Sequence, residues 1–241
     1  QPPKNQCKIQ ALLDDLNAGN LSHYTKNDLQ IYTEKLTDLT LKSYDNFAEN
    51  YLKTVSHEDL LLIKQKDKEA FAENIPAGGK ILVLAAGCGS EISFFKKAGF
   101  DVSAIEPSEA FTAHLKDHKI CKGTLTDLST YKDATFDGVF CYAGILHLPD
   151  IQGHSIGTAQ AFVEASRVLK AGGHLFQHVR EGTGAYIQKE TGRFFQMYSE
   201  ERLKELGKEQ KLKTVNVSHI HKAPLPESFK EWISMTYQKE S

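Results

Sequence analysis

The chain has 241 residues, of which 40% are hydrophobic and 25% charged, proportions of a globular protein that folds in water and not of a disordered or fibrous one. Lys and Arg total 29 against 31 for Asp and Glu, so no overall positive field draws the molecule to acidic lipid, and a nucleic-acid partner is disfavoured. Cys7, Cys88, Cys121 and Cys141 form no C-x-x-C pair, no apolar run reaches the length of a membrane span, and no signal-peptide pattern opens the chain. These features predict a cytoplasmic protein with reduced thiols and no membrane partner, while Gln1 in place of Met leaves a removed leader open.

In chain order, Ile9, Leu12, Leu13 and Leu16 recur at helical spacing and stop before Gly19, which predicts a short amphipathic helix. Leu29, Tyr32, Leu36 and Leu39 predict a second helix. Tyr44, Phe47, Ala48, Tyr51 and Leu52 predict a third with an aromatic face, and a fourth covers His57 to Asn74, ended by Pro76 and Gly78-Gly79. Residues 1–40 thus read as a helical extension, a candidate lid, and 41–241 as the main domain. From Ile81 the period changes. Ile81–Leu84, Val102–Ile105, a weaker run near Ile120–Leu125, Gly138–Tyr142 and His174–Val179 read as strands, mostly separated by helices. That alternation predicts an α/β fold, a doubly wound and mostly parallel sheet. The helix Ala159 to Leu169 closes on "LKAGG", whose glycines predict a left-handed exit. Ser199, followed by Glu200 and Glu201, predicts a helix cap. "KTVNVSHI" and "EWISMTYQK", with no helix between them, predict an antiparallel pair at the end of the sheet.

The stretch "ILVLAAGCGSE" carries the chemistry. Ala85, Gly87 and Gly89 make a small-x-Gly-x-Gly turn after the first strand, where a ligand can approach bare backbone N–H groups. Glu106 ends the second strand at what reads as an exposed position, where a carboxylate can accept two hydrogen bonds from a ribose diol. Ile92 stands where a dinucleotide fingerprint needs its last glycine, and Ser90-Glu91 supplies no P-loop lysine, which disfavours NAD and ATP by those routes.

These residues resemble the class I S-adenosylmethionine-dependent methyltransferases. The resemblance runs from Tyr44 to Lys239 and rests on ordered segments: "ILVLAAGCGSEISFFKKAGFDVSAIEPS", "YKDATFDGVFCYAGILHLPD", "ASRVLKAGGHLFQHVREG", "GRFFQMYSEERLKEL" and "EWISMTYQK". It implies a Rossmann-like seven-stranded sheet with one antiparallel strand near the edge, S-adenosylmethionine as cofactor and S-adenosylhomocysteine as product. By the resemblance, Ala85, Gly87 and Gly89 lie against the methionine part of the cofactor and Glu106 holds the ribose. Thr124 and Leu125 edge the adenine, and Tyr142 to Gly144 lead toward the sulfonium. Two positions depart from the family pattern: Val83 replaces an acidic residue that helps anchor the cofactor's amino group, and Thr124 an Asp or Asn that takes the adenine amine.

The function expected is methyl transfer to a small molecule, with RNA or protein methylation and a non-catalytic cofactor-binding role as the alternatives. A base is needed only where the acceptor holds a proton, and the catalytic candidates are His147, after the fourth strand, and His178 with Arg180, at the end of the fifth. Tyr44, Phe47 and Tyr51 are candidates to roof the cofactor, since aromatic faces attract a sulfonium, and plain helix packing is the competing reading. His114 and His118 share a helix face without a third ligand, so they read as solvated surface and no metal is expected.

Overall fold

A computed structural model describes residues 4–54, 58–116, 120–220 and 231–241. Helices α1 (Lys4–Ala18), α2 (Lys26–Thr54) and α3 (Glu58–Ala72) precede β1 (Lys80–Leu84). There follow α4 (Ser90–Lys97), β2 (Asp101–Glu106), α5 (Glu109–His114), β3 (Ile120–Lys122), β4 (Phe136–Tyr142), α6 (Thr158–Val168) and β5 (Leu169–Arg180). Two short strands, β6 (Ala185–Ile187) and β7 (Phe194–Gln196), lead to α7 (Glu200–Glu209), β8 (Leu212–Ile220) and β9 (Trp232–Lys239). Among these, no helix is long and apolar enough to cross a membrane.

The main sheet has seven strands in the order β3-β2-β1-β4-β5-β9-β8. The pairs from β3 to β5 are parallel, and β9 runs antiparallel to both β5 and β8, so one strand is reversed, one place in from the edge. This is the Rossmann-like methyltransferase architecture. Strand order reverses between β1 and β4, which opens a crevice beyond their carboxyl ends. Ile81 to Leu84 are all buried because helices cover both faces of β1. Leu82, Leu84 and Val139 pack toward Phe162 of α6 and Leu203 of α7. On the other face Ile81, Val83 and Phe140 join Phe71 of α3 and Phe95 of α4. A third core stands apart from the sheet, where Leu12 and Leu13 of α1 meet Leu29 and Leu36 of α2 and Phe194 of β7.

Three expectations change. The second and third helices are one, α2, since residues 26–54 hold neither glycine nor proline to stop it. Its start is fixed by a reciprocal capping box in which Thr25 Oγ1 accepts from the Asp28 N–H (3.1 Å) and Asp28 Oδ2 accepts from the Thr25 N–H (2.9 Å). Phe47 leaves the expected aromatic face and is 48% exposed. The "LKAGG" glycines do not cap a helix: α6 ends at Val168, Leu169 already pairs with Phe136, and Gly172 (φ +76°) sits inside β5 where its register against β4 shifts. Gly19 (φ +68°) and the Ser199 cap, whose Oγ accepts from the Arg202 N–H, are as expected. His57 and His118, and the side chains of Cys7 and Leu52, lie outside the described residues; His114 is exposed.

Candidate active site

After β1 the backbone enters the left-handed region at Ala85 (φ +52°) and Gly87 (φ +51°) and again at Gly89 (φ +79°). A methyl group built on Gly87 would meet only the Ala85 carbonyl, at 3.9 Å, so Gly87 faces open space. On Gly89 it would lie 2.5 Å from Leu115 Cδ2, so this glycine serves close packing at the start of α4. Ala143 (φ +56°), just past β4, repeats the left-handed turn of Ala85 across the crevice. Between these turns lies a cavity of about 430 Å³. Ala85, Gly87, Glu106, Thr124, Leu125 and Tyr142 all line it; Gly89 does not.

Glu106 is 4% exposed, which corrects the expectation of an open strand end. Its Oε2 accepts from the Gly87 N–H and its Oε1 from the Ser108 N–H, both at 2.7 Å. Burial raises its carboxyl above the usual range, and these two N–H groups oppose the rise. Each oxygen keeps capacity for a second hydrogen bond.

The roof comes from outside the motif-bearing segments. Tyr44 and Tyr51 of α2 line the cavity with ring centroids 5.6 Å apart, and Asp45 of the same helix clasps the start of α5, accepting from Ser108 Oγ (2.7 Å) and the Ala110 N–H (3.1 Å). Thr40 Oγ1 accepts from the Phe194 N–H of β7 (3.0 Å). Asn17 of α1 pairs with Ala185 of β6 through both backbone groups, at 2.9 and 2.6 Å. Helices and hairpin are thus joined into one structure over the cavity. The hairpin went unread in the sequence, although Thr191-Gly192 between "AYI" and "FFQ" is a turn signal, with Gly192 at φ +75°. It delivers Arg193 to the cavity, the guanidinium 5.1 Å from the Tyr44 ring centre and 5.4 Å from that of Phe195.

His147 lines the cavity at the end of a short 3₁₀ turn, Ile145–His147. Its Nδ1 lies 2.7 Å from the Phe194 carbonyl, which can only accept, so Nδ1 carries the proton. Nε2 therefore accepts from the Tyr44 hydroxyl, also at 2.7 Å. Burial, foremost, pushes the imidazole down to about 4 and keeps it neutral. His178 does not line the cavity. It is stacked between Tyr142 (4.0 Å) and Trp232 (4.7 Å), with Nδ1 2.8 Å from Ser234 Oγ, and burial pushes it down to about 3. Arg180 does line the cavity, with its guanidinium over Trp232 at 5.9 Å.

Residues 82–177 match the family model of a methyltransferase domain. These residues carry a methyltransferase domain. The chain is accordingly an enzyme, with S-adenosylmethionine as cofactor and S-adenosylhomocysteine as product. A search of curated proteins finds no match. Among solved structures the methyltransferase resembles the Burkholderia thailandensis 1,6-didemethyltoxoflavin-N1-methyltransferase, solved with 1,6-didemethyltoxoflavin and S-adenosylhomocysteine. They share 14% identity over 87% of this chain and 91% of that one, with a TM-score of 0.69. It is also similar to a possible histamine N-methyltransferase from Thermotoga maritima, at 18% identity over 83% of this chain and 100% of that one, TM-score 0.60. A Haloferax volcanii protein solved in complex with the methyltransferase activator Trm112 is similar at 12% identity over 82% and 98% of the two chains, TM-score 0.64. At such identities the likenesses show the fold.

The residues fit the cofactor. Gly87 leaves room beside its backbone, Glu106 retains acceptor capacity at the end of β2, and the Tyr142 hydroxyl is buried without a hydrogen-bond partner among the described residues. Val83 is spent on the apolar layer with Phe95 and Phe140, where a carboxylate would be stranded. Thr124 Oγ1 turns to Thr126 Oγ1 at 3.2 Å.

Proposed function

We propose that this methyltransferase acts on a small molecule. The observation that carries the reading is the roof: α2 and the β6–β7 hairpin reach over the carboxyl ends of β1 and β4 and contribute Tyr44, Tyr51, Arg193 and Phe195 to one cavity of about 430 Å³. A volume of that order suits a small ligand, and a chain segment of RNA or protein would have to displace the roof to reach the same point. In this reading the lid takes in α1, α2 and the β6–β7 hairpin, joined through Asn17 and Thr40, so the division expected after residue 40 falls inside a helix. The Burkholderia neighbour, solved with 1,6-didemethyltoxoflavin bound, supports it.

When bound, S-adenosylmethionine supplies an electrophilic methyl group on a sulfonium. Glu106 holds the ribose, Thr124 and Leu125 border the adenine, and Ala85, Gly87 and Tyr142 lie along the path to the reacting carbon. His147 acts on Tyr44. A neutral imidazole whose open nitrogen already accepts from a tyrosine fixes that hydroxyl in place and is a weak base. His178 braces the Tyr142 ring from outside the cavity. The acceptor atom therefore brings its own lone pair, and transfer rests on alignment and exclusion of water. Arg193, fixed over two rings, offers a charge for an anionic group on the acceptor.

The test is mass-spectrometric product detection across a panel of small amines, phenols and carboxylates, run beside tRNA and a peptide library, with labelled S-adenosylmethionine. Methylated small molecules support the reading. Label transferred only to tRNA or peptide would overturn it.

A further inference from the structure

Lys64 of α3 lines the cavity although it is only 9% exposed. Its ammonium makes no hydrogen bond among the described residues. Glu91 Oε1 of α4 lies 3.6 Å from Nζ, an ion-pair distance too long for a hydrogen bond, and the Tyr142 ring centre lies 4.7 Å away. Both Glu91 Oε1 and the Tyr142 hydroxyl are buried without a hydrogen-bond partner among the described residues. A loosely paired ion pair taken out of water does not recover its desolvation penalty, so a folding role explains it poorly. Lys64 and Tyr142 on the cavity wall, which Ala85 and Gly87 also line, with Glu91 outside that wall beside the Lys64 ammonium, describe a receptor for a charged ligand end.

The sign of that charge follows from Val83. Where the family pattern has an acid that serves the cofactor's amino group, this chain has an apolar residue and sets a buried cation on the wall instead. We propose that Lys64 and the Tyr142 hydroxyl bind the α-carboxylate of S-adenosylmethionine, with Glu91 as a positioning residue behind the Lys64 ammonium. Recognition of the amino-acid end has thereby moved from β1 to α3 and β4, and from the ammonium to the carboxylate. The inference rests on S-adenosylmethionine being the cofactor.

The test is calorimetric binding of S-adenosylhomocysteine and of 5′-methylthioadenosine, which keeps the nucleoside and thioether but lacks the amino-acid end. Failure of the unmodified protein to bind S-adenosylhomocysteine would refute the cofactor itself, before any variant is read. Given that binding, Lys64→Met is expected to weaken S-adenosylhomocysteine by about 10- to 100-fold, the range of one charge-assisted hydrogen bond, and to leave 5′-methylthioadenosine within about twofold. Tyr142→Phe and Glu91→Gln should show the same selective loss, smaller in size. Because Lys64→Met strands a buried carboxylate, the double variant Lys64→Met/Glu91→Gln, which removes both charges, guards against misfolding and should show the full selective loss. Equal losses for the two ligands, or no loss for either in folded variants, would overturn the proposal.

Discussion

Glu106 in the cavity floor is held by backbone N–H groups 19 residues before it and 2 after it, whereas His147 in the roof is held by a tyrosine 103 residues before it and a carbonyl 47 residues after it. The floor is made of local backbone geometry around the ends of β1, β2 and β4. Its parts are small residues at positive φ and one carboxylate, and each is placed by the strand it follows. The roof is made of side chains from α1, α2, the 3₁₀ turn and the β6–β7 hairpin, none of which is positioned until the others dock. Ligand affinity should therefore answer mainly to the floor, and the integrity of the cavity mainly to the roof.

The largest effect tests the floor. Gly87→Val places branched carbon in the open space beside the turn and demands φ +51° of a β-branched residue, so S-adenosylhomocysteine binding should fall below calorimetric detection while circular dichroism still reports an α/β fold. Unaltered affinity would put the cofactor elsewhere. Acid tests His147 and His178, the two histidines pushed furthest down. Unfolded, they protonate near pH 6.5; folded, they stay neutral down to about 4 for His147 and about 3 for His178. Between those limits these groups bind more protons in the unfolded chain, so their contribution is complete above pH 6.5 and falls as pH drops, by about 3 kcal/mol for a group displaced as far as His147, while Asp67 beside His178, pushed up to about 6, opposes the fall. Thermal melts from pH 7.5 to 4.5 should show it, and His178→Phe should flatten the slope.

Glu106→Ala comes next, with an expected loss of about 1.5–3 kcal/mol in S-adenosylhomocysteine affinity, as a charged acceptor is removed. Because Glu106 is buried and satisfies Gly87 and Ser108, the same change should also lower Tm, and Glu106→Gln should fall between alanine and wild type on both scales. Tyr44→Phe probes the roof. It leaves His147 Nε2 without its donor at a cost of about 1–3 kcal/mol in stability, while S-adenosylhomocysteine affinity stays close to wild type because the ring remains. An affinity loss matching that of Glu106→Ala would erase the distinction between floor and roof. The smallest change is a gain. Thr124→Asn restores an amide at the adenine edge and should tighten binding by about 0.5–1.5 kcal/mol, measured in the same titrations.

The same division governs what could be read in the sequence. Ala85, Gly87 and Glu106 were legible because a turn after a buried strand and a carboxylate ending the next one are local events, written in consecutive residues. The reversed strand was legible from "KTVNVSHI" and "EWISMTYQK", two β-rich runs with nothing helical between them. Lys64 and Arg193 were not, since nothing around "LIKQK" or "TGRFF" marks a side chain that meets the cavity only after α3 and the hairpin have packed. The split of α2 was a failure of another kind. Its continuity through residues 40–43 lay in the lack of any stop signal, which a search for apolar spacing passes over. The "LKAGG" glycines permit both a helix cap and a bulged strand, and pairing across to Phe136 decides between them.

The length of α2 also governs how molecules come and go. Twenty-nine residues at about 1.5 Å each make a rod of about 44 Å, continuous from the apolar contacts of Leu29 and Leu36 with α1 to Tyr44 and Tyr51 over the cavity. A roof hung on a loop opens by loop motion, in nanoseconds to microseconds. A roof that is the middle of a helix opens by tilting the whole rod or melting a turn of it, and both loosen packing at its far end. Residence time of product in the cavity is thereby tied to the small core beneath Leu29, away from the cavity itself.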